Sequence, residues 1–201
     1  MPFQTSLNLG RRLLAAAFLM IPLMVANASD LGQIHGKDIT GLGYGGDFQM
    51  TDHNGRPRTM ADYRDKVVVM FFGYTTCPDF CPTTLAKLAS VMKRLGPDAS
   101  KVQVLFVTID PERDTEKLLR KYVPAFYPSF IGLRGSEEQT EAIAKAFHAQ
   151  YQIMKYGDEY LVDHTASGYL VDPRGHARIQ LPYSLSGKEI GDDVQSIMAE
   201  H

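Results

Sequence analysis

The stretch Val67-Val68-Val69-Met70-Phe71-Phe72-Gly73-Tyr74-Thr75-Thr76-Cys77-Pro78-Asp79-Phe80-Cys81-Pro82 joins an unbroken apolar run to the only two cysteines among 201 residues. A continuous apolar run of that length marks a strand buried on both faces. From 83 to 95, Leu85, Leu88, Val91, Met92 and Leu95 recur at spacings of three and four, which predicts a helix. Strand, short turn and helix in that order set both sulfurs near a helix N-terminus, where the macrodipole and free N–H groups favour thiolate over thiol. Residues four apart on a helix share one face, so the two sulfurs can converge on one metal ion or close one disulfide.

Outward from that stretch the chain alternates strand-like and helix-like segments. Residues 47–51 read as a short strand, and His53-Asn54-Gly55-Arg56-Pro57 as a turn. Residues 102–109 read as a second central strand, 115–122 as a helix and 130–133 as a strand. Ser136-Glu137-Glu138-Gln139 is a helix-starting signature, and the helix it opens carries Ile143, Ala144, Ala146 and Phe147. Strands are expected at 151–156 and 168–171, a turn at Asp172-Pro173-Arg174-Gly175, a strand at 176–180 and a closing helix at 186–198. This order predicts an α/β architecture. With a cysteine pair at the first buried strand-to-helix turn, a thioredoxin-like fold with a mixed central sheet flanked by helices is the expectation. Two features depart from a thiol-disulfide exchanger of that fold. Three residues, not two, separate the cysteines, and Asp163-His164 stands near the 168–171 strand where a substrate-facing proline is usual.

At the N-terminus, Arg11-Arg12 precede a thirteen-residue apolar stretch, Leu13 to Val25, and Ala26-Asn27-Ala28 fits a small-x-small cleavage site. That stretch is short for a bilayer span. The expectation is a signal peptide over residues 1–28, a flexible lead-in over 29–45 and a domain over 46–201, with export into a bacterial periplasm. Left uncleaved, the segment would anchor the domain to the inner membrane on its periplasmic side. Loss of 1–28 removes Arg11 and Arg12 only, leaving 173 residues with 19 basic and 23 acidic side chains, a formal charge of −4. With no basic stripe, nucleic-acid binding is not expected.

Soft thiolates select copper(I), zinc or iron–sulfur centres, and imidazole suits copper and zinc. Two cysteines make a two-coordinate site, so a third ligand must come from elsewhere. Of the six histidines, His35, His53, His148, His176 and His201 lie in the lead-in, a turn, a helix end, an outer strand and the terminus. His164 differs: it follows the strand-like 160–162 and precedes 168–171, with Asp163 beside it as a possible acceptor for its second ring N–H. Asp79, between the cysteines, suits a helix N-terminus without touching metal. Asp110-Pro111 is expected to end a central strand, with Arg113 and Asp114 capping the next helix.

Four stretches together carry a resemblance. Phe71 through Leu85, Thr108-Ile109-Asp110-Pro111-Glu112-Arg113-Asp114-Thr115, Phe130 through Ser136, and Val162-Asp163-His164-Thr165 continuing through Tyr169 to Gly175 resemble, in order and spacing, the Sco/SenC family of copper chaperones. The resemblance implies that Cys77, Cys81 and His164 bind one copper ion. It also implies delivery of copper to the dinuclear copper centre of cytochrome c oxidase subunit II, or reduction of that centre's cysteines, with a thiol reductant as a further partner. Thr76 stands where many members carry a histidine, which leaves the ligands intact and changes their surroundings. The alternative reading is a periplasmic thiol-disulfide reductase in which Cys77 and Cys81 form a redox-active disulfide without obligatory metal. A thiol peroxidase ranks third, since Thr75 lies two residues before Cys77 and not three.

Overall fold

A computed structural model describes Met1, residues 34–156 and residues 159–201. The expected signal peptide lies outside the described residues apart from Met1. Among the described residues no helix is long and apolar enough to cross a membrane.

Among the described residues, ten strands and four α-helices follow one another. They are β1 (Lys37–Asp38), β2 (Met50–Asp52), β3 (Pro57–Arg58), β4 (Val67–Gly73), α1 (Phe80–Leu95), β5 (Val102–Thr108), α2 (Glu116–Phe126) and β6 (Ile131–Arg134). Then come α3 (Glu137–Ala146), β7 (Tyr151–Tyr156), β8 (Glu159–His164), β9 (Ser167–Val171), β10 (Ala177–Pro182) and α4 (Gly187–Ala199). Eight strands form one mixed sheet in the order β1-β10-β9-β4-β5-β6-β2-β3, while β7 and β8 pair only with each other. The sheet begins inside the stretch read as a lead-in: β1 pairs with β10, and Ile39 just after it is fully buried. This is the thioredoxin-like mixed sheet flanked by helices that the sequence predicts.

The centre follows from composition. Every residue of β4 and β5 is buried, and the two run parallel in register from Val67↔Val102 to Gly73↔Thr108. Successive side chains of β4 leave opposite faces of the sheet. Phe71 meets Phe106, which meets Tyr122 of α2; Phe72 meets Phe147 and Tyr169. Helix α1 packs against both α2 and α4. Burying a large apolar side chain contributes about 1.5–3 kcal/mol, so the two central strands with their aromatic partners dominate the stability of the domain. The capping signature at Ser136 is realised, with Ser136 Oγ accepting from Gln139 N and Gln139 Oε1 from Ser136 N.

One feature of the topology fixes where the site falls. Strand β9 is antiparallel to β4, with Phe71 opposite Gly168 and Val68 opposite Val171. The start of β9 therefore lies beside the end of β4. A residue just upstream of β9 is delivered to the same sheet edge as the turn just downstream of β4.

Candidate metal centre

Helix α1 begins at Phe80, three residues earlier than the apolar spacing predicts, because Pro82 falls in its first turn where a missing N–H costs nothing. Cys81 is on the helix and fully buried; Cys77 is in the turn before it, 7 % exposed, its N–H bonded to Tyr74 O at 3.2 Å. The sulfurs thus meet because the turn folds back over the helix start, not because both ride on one helical face. Both cysteines are free thiols.

Gly73 makes room for this arrangement. A Cβ at that position would lie 2.8 Å from Cys81 Sγ and 2.9 Å from Phe106 Cε2. The turn is braced from beneath by Asp114, which is fully buried. Its Oδ2 accepts from Thr75 N at 3.0 Å and from Thr108 Oγ1 at 2.6 Å, and its Oδ1 accepts from Thr75 Oγ1. The expected cap role is thereby corrected: Asp114 ties the cysteine turn to the end of β5, and Thr115 caps α2 by accepting from Leu118 N at 3.3 Å. Arg113 does not cap either; its Nε donates to Asp110. Burial pushes the Asp114 carboxyl above the ordinary carboxylate range, against the hydrogen bonds from Thr108 and Thr75.

His164 ends β8, and its Nε2 lies 3.7 Å from Cys81 Sγ. One ligand atom from each of Cys77, Cys81 and His164 falls within 4.8 Å of the others, the one such group among the described residues. Adjacent strand residues face opposite ways, which disposes of the Asp163 reading. Asp163 is exposed, and His164 Nδ1 instead lies 3.2 Å from Thr165 O. That contact makes Nδ1–H the donor to a backbone carbonyl and turns Nε2 toward the sulfurs. Tyr74 packs edge to face on the imidazole at 5.9 Å. Asp79 accepts from Thr83 Oγ1 at 3.2 Å.

The two thiols are electrostatically unequal. A hydrogen bond from the Cys81 thiol holds Cys77 down to about 3 against the cost of burial, with further help from His164 and the N–H groups of Cys81 and Asp79. The Cys77 thiolate and burial together push Cys81 up. A soft anionic sulfur, a second sulfur beside it and an imidazole nitrogen form a donor set suited to copper.

A family model described as SCO1/SenC matches residues 37–199. The chain belongs to the SCO1/SenC family. It is 39 % identical over 158 residues to "Protein SCO2 homolog, mitochondrial" of Bos taurus, covering 77 % of this chain and 59 % of that protein. The chain therefore spans about three fifths of the length of this mammalian relative. The structure of Bradyrhizobium japonicum ScoI with copper bound superposes with a TM-score of 0.71 at 35 % identity, over 76 % of this chain and 98 % of that one. BsSco, a member of the Sco family of cytochrome c oxidase assembly proteins in which a disulfide switch was identified, superposes with a TM-score of 0.63 at 27 % identity, over 78 % and 94 %.

The remaining histidines of this SCO1/SenC chain are elsewhere. His53 is buried and its Nδ1 accepts from Gly132 N at 3.0 Å. His148 stacks on Tyr44 at 4.4 Å. His35, His176 and His201 lie beside Asp192, Asp172 and Asp172. Sequence reasoning missed Gly73, Asp114 and the part played by Tyr74. Locally Asp114 reads as a helix-start acid, since it stands just before Thr115, the cap of α2, and its partner Thr75 lies 39 residues away.

Proposed function

We propose that this chain is an exported copper metallochaperone that takes one copper ion as cargo on Cys77, Cys81 and His164 and passes it on by ligand exchange. The observation that carries the reading is the convergence of two sulfurs and one imidazole within 4.8 Å. Membership of the family and the copper-containing ScoI relative support it. The client we propose is the dinuclear copper site of cytochrome c oxidase subunit II, in keeping with the assembly role named for BsSco. The Arg11-Arg12 and Ala26-Asn27-Ala28 signature supports periplasmic placement.

Two thiolates suffice for copper(I), which tolerates low coordination; copper(II) needs the imidazole and an oxygen ligand in a more tetragonal array. His164→Ala is therefore expected to weaken copper(II) binding far more than copper(I) binding and to erase nitrogen hyperfine structure from the copper(II) spectrum. Cys77→Ser and Cys81→Ser should damage both, and His148→Ala neither. An unchanged copper(II) spectrum in His164→Ala would end the assignment.

A thiol-disulfide role on the same pair is favoured by one observation: a low-pKa thiolate at Cys77 next to a protonated Cys81 is the division of labour between attacking and resolving thiols. Closing the Cys77–Cys81 disulfide removes both sulfur ligands, so reduction must precede loading. Copper(I) titration of oxidised and reduced protein checks this, and equal affinity would overturn it.

A further inference from the structure

We propose that Asp110, Arg113 and Tyr160 form a latch that holds the β7–β8 hairpin down and so keeps His164 within reach of the metal; this rests on the three-ligand reading above. The hairpin is a two-stranded sheet of its own, so no backbone ladder among the described residues joins β8 to the main sheet. Its hold on the body must come from side chains.

Alternate residues of a strand share a face, which places Tyr160, Val162 and His164 together. Val162 on that face is 4 % exposed. At the far end the Tyr160 hydroxyl donates to Asp110 Oδ1 at 2.8 Å, and Arg113 Nη1 donates to Tyr160 O at 2.9 Å. The Arg113 guanidinium lies 3.7 Å from the Tyr160 ring centroid and 5.8 Å from that of Tyr74, the ring that packs on His164. Asp110, 4 % exposed, follows β5 and so belongs to the fixed body. One face of β8 is thus pinned at Tyr160, and the ligand sits about 13 Å further along the same face. The link from His164 to β9 is only Thr165-Ala166.

Closed, the latch presents Nε2 to the sulfurs. Released, it leaves two thiolates and a wandering imidazole. Arg113 and Tyr160 are positioning residues: they touch no copper ligand through a bond, yet they set how well the site holds copper(II) relative to copper(I).

Tyr160→Phe removes only the hydroxyl, and Arg113→Lys keeps the positive charge but cannot bond the Tyr160 carbonyl and Asp110 together as Nη1 and Nε do. Each is titrated with copper(I) and copper(II) alongside His164→Ala, with the copper(II) spectrum recorded and amide exchange of the hairpin followed in metal-free protein. The loss of a hydrogen bond to a buried carboxylate predicts copper(II) affinity lower by about tenfold and hairpin exchange faster by a similar factor, with copper(I) affinity within about threefold. Native thermal transitions in both variants would keep misfolding out of the comparison. Unchanged copper(II) affinity and hairpin exchange in both variants would overturn the latch while leaving the ligand set standing. An equal fall in copper(I) and copper(II) affinity would also overturn it, since that marks a disturbed cysteine turn. An unaltered spectrum in His164→Ala would overturn the ligand set and the latch together.

Discussion

A single methyl group separates Gly73 from alanine, and the Cys81 sulfur and the Phe106 ring occupy the space it would need. Neither neighbour is the loose end of an exposed chain. Gly73→Ala should therefore cost about 1–3 kcal/mol as an overpacked core position, measured by urea unfolding, and lower copper(I) affinity by displacing Cys81. Loss of stability with unaltered affinity would show that the sulfur is not what yields. At Asp114, burial already favours the neutral form, while Thr75 and Thr108 require an acceptor. Asp114→Asn retains an acceptor oxygen and should keep near-native stability, whereas Asp114→Ala strands buried donors at about 1–3 kcal/mol; paired denaturation curves decide between them. Cys77 offers a test in pH. An ordinary thiol loses thiolate as pH falls below its pKa near 8.5, roughly a hundredfold in alkylation rate between pH 8 and pH 6. The Cys77 pKa is shifted downward, so its thiolate persists through that window. Site-resolved iodoacetamide labelling of reduced, metal-free protein should change by less than about threefold across the same range.

Among the elements, those with a period of their own were legible from the residues. The apolar run of β4, the three-and-four spacing of α1 and the capping box at Ser136 each report a local cause, and each element is found there, α1 with three further residues at its start. The three residues that converge at the end of β4 were legible as well, through the resemblance of four stretches. The hairpin was not. Residues 151–156 read as a strand, but nothing in a strand's composition says which sheet it joins, and β7 pairs with β8 outside the central one. The latch escaped for a related reason, since Arg113 and Tyr160 are 47 residues apart and each alone looks like a surface side chain. His53 shows the converse. Its ring accepts from Gly132 N and its carbonyl from Arg120 Nε, so it ties β2 to β6 and α2. Burial lowers its pKa, which keeps the ring neutral and able to accept. His53→Ala should destabilise the domain by about 1–2 kcal/mol through the orphaned amide and leave copper binding untouched. A change in the copper(II) spectrum would contradict that division.

For the molecule as a whole, anything that binds only the folded state raises its stability in proportion to the logarithm of ligand excess. Copper(I) buffered at a thousand times its dissociation constant should add about 4 kcal/mol to reduced protein, read as a rise in Tm, and nothing to oxidised protein. A rise in the oxidised form would mean that the metal sits elsewhere. The antiparallel pairing of β9 with β4 has a further consequence, for how such chains are recognised in genomes. Because Phe71 is opposite Gly168, the sheet register measures out where His164 arrives, and the tape between them is the pair Thr165-Ala166. Each inserted residue would shift the imidazole by up to about 3.3 Å. A descendant could keep both cysteines and the histidine, pass any inventory of those residues, and still misplace the imidazole through one extra codon in a two-residue spacer. The spacing of that link, more than the letters at the three positions, is what natural selection would have to guard.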